Sequence, residues 1–333
     1  MYKIILFSCL LLPSCLFTQQ EKAPNKPQQQ TASHHEILFY NVENLFDTAT
    51  DSTRSYNEFS PESKKKWNKY KYNKKINEIA KCITAASDDG AEFIGLAEIE
   101  NTLVLQKLIS HPLLFPYHYE IIHFESRDVR GIDVALLYKS NVMDLLSFKK
   151  ITIPKKRRPT RDILVVVGVH KESKDTLALF VNHWSSRYGG KKKSEKSRVL
   201  AAVTLQNQMD SLRNKYPTCK IVSMGDFNDS PKDSSMNKVL DNTNYVNLFR
   251  DSTQTYGSLK YKRKWQVFDQ FIVSKNLIEK GALKLSNVQI FSPEWLLEKD
   301  KKYGGKKPFR TYLGPQYHGG ISDHLPVVLR LNY

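Results

Sequence analysis

Eight short, apolar, β-rich runs recur along the chain and restrict its fold more than any other feature: Glu36–Tyr40, Glu92–Ala97, Asp133–Tyr138, Ile163–His170, Leu177–Trp184, Lys220–Met224, Phe268–Ser274 and Pro326–Asn332. Helical patterns lie between some of them. Ile76, Ile79 and Ile83 recur at i, i+3 and i+7 within a lysine-rich helix predicted over Ser63–Ala86, and Val199, Ala202, Val203 and Met209 mark one face of a helix over Ser194–Asn214. The other joins are too short for helices. Direct joins mixed with helical crossovers predict two packed mixed sheets flanked by helices, a four-layer α/β sandwich. Hydrophobic residues make up 40% of the chain, enough for a sizeable core and too many for a disordered or collagen-like polymer. Residues 35–333 contain no internal repeat, second linker or transmembrane-length run and are read as one domain.

The first residues have a different character. Lys3 precedes a mostly apolar run, Ile4 to Leu12, that is too short to span a bilayer and has the form of a secretory signal over residues 1–15. It ends Leu12-Pro13-Ser14-Cys15, which resembles a bacterial lipoprotein box with Cys15 as the lipidated residue; ordinary cleavage and secretion is the alternative. Residues 16–34 are rich in Gln, Lys and Pro and are expected to be a flexible tether. The expected location is therefore outside the cytoplasm, either periplasmic or anchored to the outer membrane as a lipoprotein, or secreted. Only Cys82 and Cys219 belong to the body. They are expected to be buried thiols, although an exported location permits a disulfide between them.

Polar residues stand where the apolar runs end. In chain order they are Asn41 in FYNVENLFD, Glu98 in GLAEIEN, His183 in VNHWSS, Asp226 and Asn228 in MGDFND, Asp269 in VFDQFIV, and Asp323 and His324 in ISDHLPV. Singly, each has a plain structural explanation as a turn former, a helix-start acid or a core histidine. The ordered set resembles the endonuclease/exonuclease/phosphatase superfamily, which includes pancreatic deoxyribonuclease, apurinic/apyrimidinic endonucleases, inositol polyphosphate 5-phosphatases and bacterial sphingomyelinases. GDFN and SDH are its most specific pieces, and the YNVENLF and GGISDHLP phrases are similar to those of the secreted or anchored bacterial branch. The resemblance implies a DNase I-like sandwich and metal-dependent hydrolysis of phosphate esters in one cleft.

It also implies roles. Glu98, Asn41 and Asp323 would hold a hard divalent ion, Mg²⁺ first, with Mn²⁺ or Ca²⁺ as alternatives. Asp269 would orient His324, and Asp226, His183 or His324 would serve as base or acid. Asn228 would orient the phosphate or the attacking group. Arg130, in RGIDVALLY, is a candidate phosphate contact, with a solvated loop arginine as its plain reading.

Charge narrows the substrate. Lys+Arg number 51 against 34 Asp+Glu, a formal net charge of +17. The excess collects in Lys155–Arg161, Lys191–Lys193 and Lys299–Lys307, all expected in loops, with Trp184, Tyr188, Tyr303 and Tyr312 nearby to stack on bases. Solvated faces of a high-pI protein are the plain alternative. Lys191, Lys192 and Lys193 are read as substrate-binding. The expected activity is that of an endonuclease of low sequence specificity, acting as a monomer on nucleic acid, with membrane contact through a lipid anchor. The alternatives are a phosphatase or sphingomyelinase-like phospholipase using the same residues, and a non-catalytic nucleic-acid-binding protein.

Overall fold

The computed structural model describes residues 34–49, 58–155, 158–240, 244–279 and 283–332. Its larger strands are β1 (His34–Leu45), β2 (Phe93–Ile99), β3 (Tyr119–His123), β4 (Asp133–Lys139), β5 (Met143–Ile151), β6 (Ile163–His170), β7 (Thr176–His183), β8 (Lys220–Asp226) and β9 (Tyr245–Asn247). The hairpin β10 (Leu259–Tyr261) and β11 (Lys264–Gln266) follows, then β12 (Asp269–Ser274) and β13 (Lys284–Ile290). Two small hairpins, β14 (Leu297–Lys299) with β15 (Lys306–Pro308) and β16 (Tyr312–Leu313) with β17 (Gln316–Tyr317), precede β18 (Val327–Asn332). The helices are α1 (Lys69–Ala85), α2 (Thr102–Ile109), α3 (Lys191–Lys215), α4 (Ser234–Val239) and α5 (Lys275–Glu279). None among the described residues is long and apolar enough to cross a membrane.

Two six-stranded sheets result, one ordered β13-β18-β1-β2-β4-β3 and the other β5-β6-β7-β8-β12-β9. Each has a single parallel pair, β1 with β2 and β7 with β8, and is otherwise antiparallel. A parallel pair needs a crossover, and α1 and α3 supply them. Helix α1 starts because Asn68 accepts from Lys71 N at 3.1 Å, and it buries Ile76, Ile79, Ala80 and Ile83 against the first sheet. Helix α3 buries Ala201, Ala202, Leu205 and Met209 against the second. The inner strands have both faces covered and are apolar throughout, as in β6, ILVVVGVH. At the centre Gly95 of β2 lets the sheets approach: a Cβ there would lie 2.8 Å from Met224 Sδ of β8.

Several expectations change. The lysine-rich helix begins at Lys69, after the Asn68 cap, so Lys64–Lys66 precede it, and Lys75 is buried inside the protein instead of solubilising its surface. Lys191–Lys193 form the first turn of α3 instead of a flexible loop. Trp184 and Tyr312, expected to stack on bases, are buried: Trp184 packs edge-on against Phe227, and Tyr312 joins Phe46, Phe59 and Trp67. Cys82 and Cys219 are free thiols in two different apolar clusters, so no disulfide joins them. Residues 1–33, with Cys15, the signal and most of the tether, lie outside the described residues, as do Lys156 and Arg157.

The glycine of GDFN has a packing explanation. A Cβ on Gly225 would lie 2.4 Å from the carbonyl oxygen of Asn182, its partner on β7, and the next pair along the ladder is His183 with Asp226. Gly225→Ala must therefore push β7 and β8 apart. It is expected to destabilise the protein by about 1–3 kcal/mol by overpacking, and to lower any activity that uses the His183/Asp226 pair. Denaturant midpoints and turnover measured on the same preparation check both effects.

Candidate active site

Strand direction brings the polar residues to one rim. Asn41 sits where the β1–β2 ladder breaks, Glu98 lies near the end of β2, and His183 and Asp226 close β7 and β8. Strands β12 and β18 run antiparallel to β8 and β1, so Asp269, which opens β12, and His324, just before β18, arrive at the same end. The two sheets meet here through a side chain: Asn41 Nδ2 of the first donates to Asp226 Oδ2 of the second at 3.1 Å.

Asp226 is the hub. Its Oδ2 also accepts from Asn228 Nδ2 at 3.2 Å, while Oδ1 accepts from the Asn228 amide at 2.9 Å. His183 Nε2 lies 3.5 Å and His324 Nε2 3.8 Å from Oδ2. His324 Nδ1 is 2.7 Å from Asp269 Oδ2, and the Phe268 and Asp269 amides donate to Ser258 Oγ at 3.0 Å, fixing the start of β12. His183 Nε2 is also 3.9 Å from Glu98 Oε1. Arg130 Nη2 reaches Glu98 Oε2 at 3.2 Å and bonds Asn44, so this exposed loop arginine also touches the site.

Burial separates the protonation states. Asp226 is pushed up to about 7 by burial and by the Asp269 charge, against the pull of His324. His183 is held well below the usual histidine range by burial and by the positive charges of Arg161 and Arg130. Burial also pulls His324 down, but the Asp269 and Asp226 carboxylates outweigh it and raise its pKa well above the usual value. The arrangement is a neutral imidazole and an imidazolium on either side of a carboxyl group poised near neutrality, a set suited to proton transfer.

Glu43, Lys75 and Arg310, which the sequence did not single out, support Asp323. Arg310 Nη2 lies 2.9 Å from Asp323 Oδ2 and 2.8 Å from Glu43 Oε1, and the Thr311 amide donates to Glu43 Oε2 at 2.7 Å. Lys75 Nζ donates to Glu43 O, Thr311 Oγ1 and Ile321 O at 2.6–2.7 Å, and burial lowers its pKa to about 8 in spite of the surrounding acids. Glu43 lies in YNVENLF, two residues after Asn41, and that was its only sequence signal. Lys75 was hidden in a run of surface lysines.

The donor set is one that a hard divalent ion accepts. Glu98 and Asp323 are carboxylates, the Asn41 carboxamide oxygen has a lone pair beyond the one taken by the Glu43 amide at 3.0 Å, and Arg130 and Arg310 pair with the acids. Asp226, Asp269 and His324 also place ligand atoms within 4.8 Å of one another. Beside the rim an open cleft of about 1260 Å³ is lined by Tyr188, Lys191, Tyr261, Arg263, Lys264 and Tyr303, among others, and Asp323 of the rim is also part of its lining. A smaller cleft of about 320 Å³ contains Arg130, Arg158, Arg161 and Lys193. Lys192 is exposed and lines neither, while Lys191 is tied to Asp233.

Residues 36–333 match the family model described as Endonuclease/Exonuclease/phosphatase family. No curated protein matches the chain in sequence. Among solved structures, an endonuclease/exonuclease/phosphatase family protein from Bacteroides thetaiotaomicron superimposes with TM-score 0.60 at 15% identity, covering 90% of this chain and 98% of that one. A mannosyl-6-phosphatase from the same organism gives 0.59 at 15% identity, covering 90% and 100%. D. rerio TDP2 complexed with single-strand DNA product gives 0.59 at 12% identity, also covering 90% and 100%.

The His324–Asp269 pair has a signed pH dependence. Its stabilising contribution is complete below the unfolded histidine value of 6.5 and is lost as pH rises through the raised folded value. Asp269→Asn should cost about 3–5 kcal/mol near pH 6 and less in alkali. Without Asp269, burial acts with less opposition and the His324 titration moves down. Histidine NMR titrations and denaturation at two pH values check this; an unmoved His324 titration would contradict the assignment.

Proposed function

The chain belongs to the endonuclease/exonuclease/phosphatase family, and from that premise we propose that it is a metal-dependent phosphodiester hydrolase, an exported endonuclease of low sequence specificity acting as a monomer. The observation that carries the nucleic-acid reading is the cleft beside the rim. Tyr188 and Tyr261 are 89% and 65% exposed there, between Lys191, Lys262, Arg263, Lys264 and Lys302. Exposed rings among cations offer stacking faces and phosphate contacts along a strand, neither of which reads a base.

In this reading Glu98, Asn41 and Asp323 hold the divalent ion, which when bound neutralises phosphoryl charge. Asp226, oriented by Asn41 and Asn228, takes a proton from the attacking water. His324, held cationic by Asp269, clamps a phosphoryl oxygen. His183 is neutral with a buried Nδ1 that has no hydrogen bond, and it offers Nε2–H to the developing charge. A second reading, a phosphatase for small phosphorylated sugars, has the structural similarity to a mannosyl-6-phosphatase behind it. A lipid-inserting enzyme is less well supported, since the β10–β11 turn carries Lys262 and Arg263 where an apolar tip would be needed.

Changing Lys262, Arg263 and Lys264 to Ser should lower kcat/KM on DNA and reduce the slope of its log-log salt dependence by roughly 2–3, while turnover of a small phosphodiester is kept. If DNA is not cleaved, or shows no steeper salt dependence than the small ester, the small-substrate reading replaces this one. Glu98→Ala should lose most turnover and stay folded, and chelator should abolish activity; undiminished activity in excess chelator rejects metal dependence. Mass spectrometry of native protein should find a chain beginning at lipidated Cys15 or shortly after it, and an intact Met1 on exported material would refute both forms of processing.

A further inference from the structure

At the other end of the strands from this rim, two histidines and a glutamate converge. His35 stands at the start of β1 and Glu92 just before β2, both on the first sheet, while His170 ends β6 on the second. Both histidines are buried, and the Glu92 side chain is 14% exposed. Their rings meet edge to face with centroids 4.6 Å apart. His35 Nδ1 lies 2.8 Å from Glu92 Oε1, and His170 Nε2 lies 3.6 Å from Glu92 Oε2. That second oxygen is buried and, among the described residues, has no partner within hydrogen-bond distance. We propose that His35, Glu92 and His170 form a second cation site, selective for zinc or a similar borderline divalent ion, that ties the two sheets together across the sandwich.

Three observations support it. One ligand atom from each residue lies within 4.8 Å of the others. Two donors about 2.0–2.1 Å from a tetrahedral ion are roughly 3.4 Å apart, so the His170–Glu92 separation is close to an ion-bridged one and the His35–Glu92 contact must open by about half an ångström. The outer nitrogen of one imidazole is also supported as a metal-bound ring requires: His35 Nε2 faces the Glu172 carboxylate, with Oε2 at 3.4 Å. The Ser173 amide donates to His170 Nδ1 at 3.2 Å, which leaves the proton on Nε2, so binding an ion at Nε2 requires that proton to move to Nδ1 and be donated to Ser173 Oγ, 3.1 Å away. Water completes the coordination, since Glu172, half exposed, is already engaged with the outer nitrogen of His35. Two imidazoles and one carboxylate suit zinc and serve Mg²⁺ poorly, which distinguishes this site from the oxygen-rich catalytic one.

The test strips the purified protein with chelator, restores zinc in excess Mg²⁺, dialyses it and measures zinc per chain and the unfolding midpoint. Wild type and Glu98→Gln should each retain one zinc after dialysis and, with free zinc then restored to about a hundredfold excess over Kd, gain roughly 5 °C, whereas the double variant His35→Asn/His170→Asn should do neither. Because that variant could fail to fold, imidazole ¹⁵N spectra of the unmutated protein give an independent reading. Zinc must shift the His35 and His170 resonances and leave those of His183 and His324 in place. Loss of zinc on dialysis, shifts confined to His183 and His324, or undiminished zinc in a folded double variant would show that the cluster is only a hydrogen-bonded plug.

Discussion

A carboxylate held between two sheets governs this structure. Asp226 is 2% exposed, and a charge taken that far from water is tolerated only when its lone pairs are filled and a counter-charge is near. Asn41 reaches it from one sheet, Asn228 folds back onto it from its own loop, and the Asp269–His324 pair supplies the cation. Each partner is useful only in one position, so the loops that carry them are fixed in turn. Behind the rim, buried Arg198 of α3 lies 2.7 Å from Asp229 Oδ2, and Arg187 holds Asp229 Oδ1 at 2.9 Å. Gln270 Nε2 donates to the Asp229 carbonyl at 2.5 Å. The loop that bears Asn228 is thereby held by α3 and β12 together.

The first sheet has a corresponding device with the charges reversed. There a buried ammonium, Lys75, is the group that must be satisfied, and it binds the carbonyls of Glu43 and Ile321 and the hydroxyl of Thr311. These acceptors come from β1 and from the long connection between β13 and β18, which contains Asp323 and His324. Lys75 is delivered by α1, the crossover that the parallel β1–β2 pair requires, just as Arg198 is delivered by α3, the crossover of the β7–β8 pair. The same topological need thus places one buried cation behind each half of the rim.

This division explains what could be read from the sequence. The eight runs identified there are the inner strands of the two sheets, β18, β1, β2 and β4 in one and β6, β7, β8 and β12 in the other. The four strands of these two sheets that were overlooked, β13, β3, β5 and β9, are the sheet edges, and the six short strands of the small hairpins were overlooked as well. Inner strands are covered on both faces and read as apolar blocks, whereas β5, MDLLSFKKI, exposes most of its residues and carries the charge that keeps an edge from pairing with another chain. The residues around Asp226 were legible because each interrupts an apolar run. Lys75 and Arg310 interrupt nothing: one is a lysine among lysines and the other sits in a connection with no period, so only three-dimensional packing reveals them. Trp184 and Tyr312 failed as stacking residues for a related reason, since proximity in sequence to basic residues does not say which face of the chain is wet.

Backbone conformation shows where stability has been traded for the site. Among the described non-glycine residues with positive φ are Glu43 (52°), Asn44 (58°), Glu98 (65°) and Asn228 (52°), all at the rim. Asparagine tolerates the left-handed region, but glutamate does so at a cost of order 1–3 kcal/mol. Glycine would relieve the strain at positions 43 and 98 and would remove the carboxylates that bind Arg310 and Arg130. The strain persists because the same turn that ends the regular β1–β2 pairing after Asn41 and Ala97 must also aim a side chain into the cleft. Regular ladder geometry would alternate side chains between the two faces of the sheet and leave few of them pointing along the strand axis toward the rim. Breaking the ladder at these residues is therefore what lines the ends of these inner strands with acids and cations.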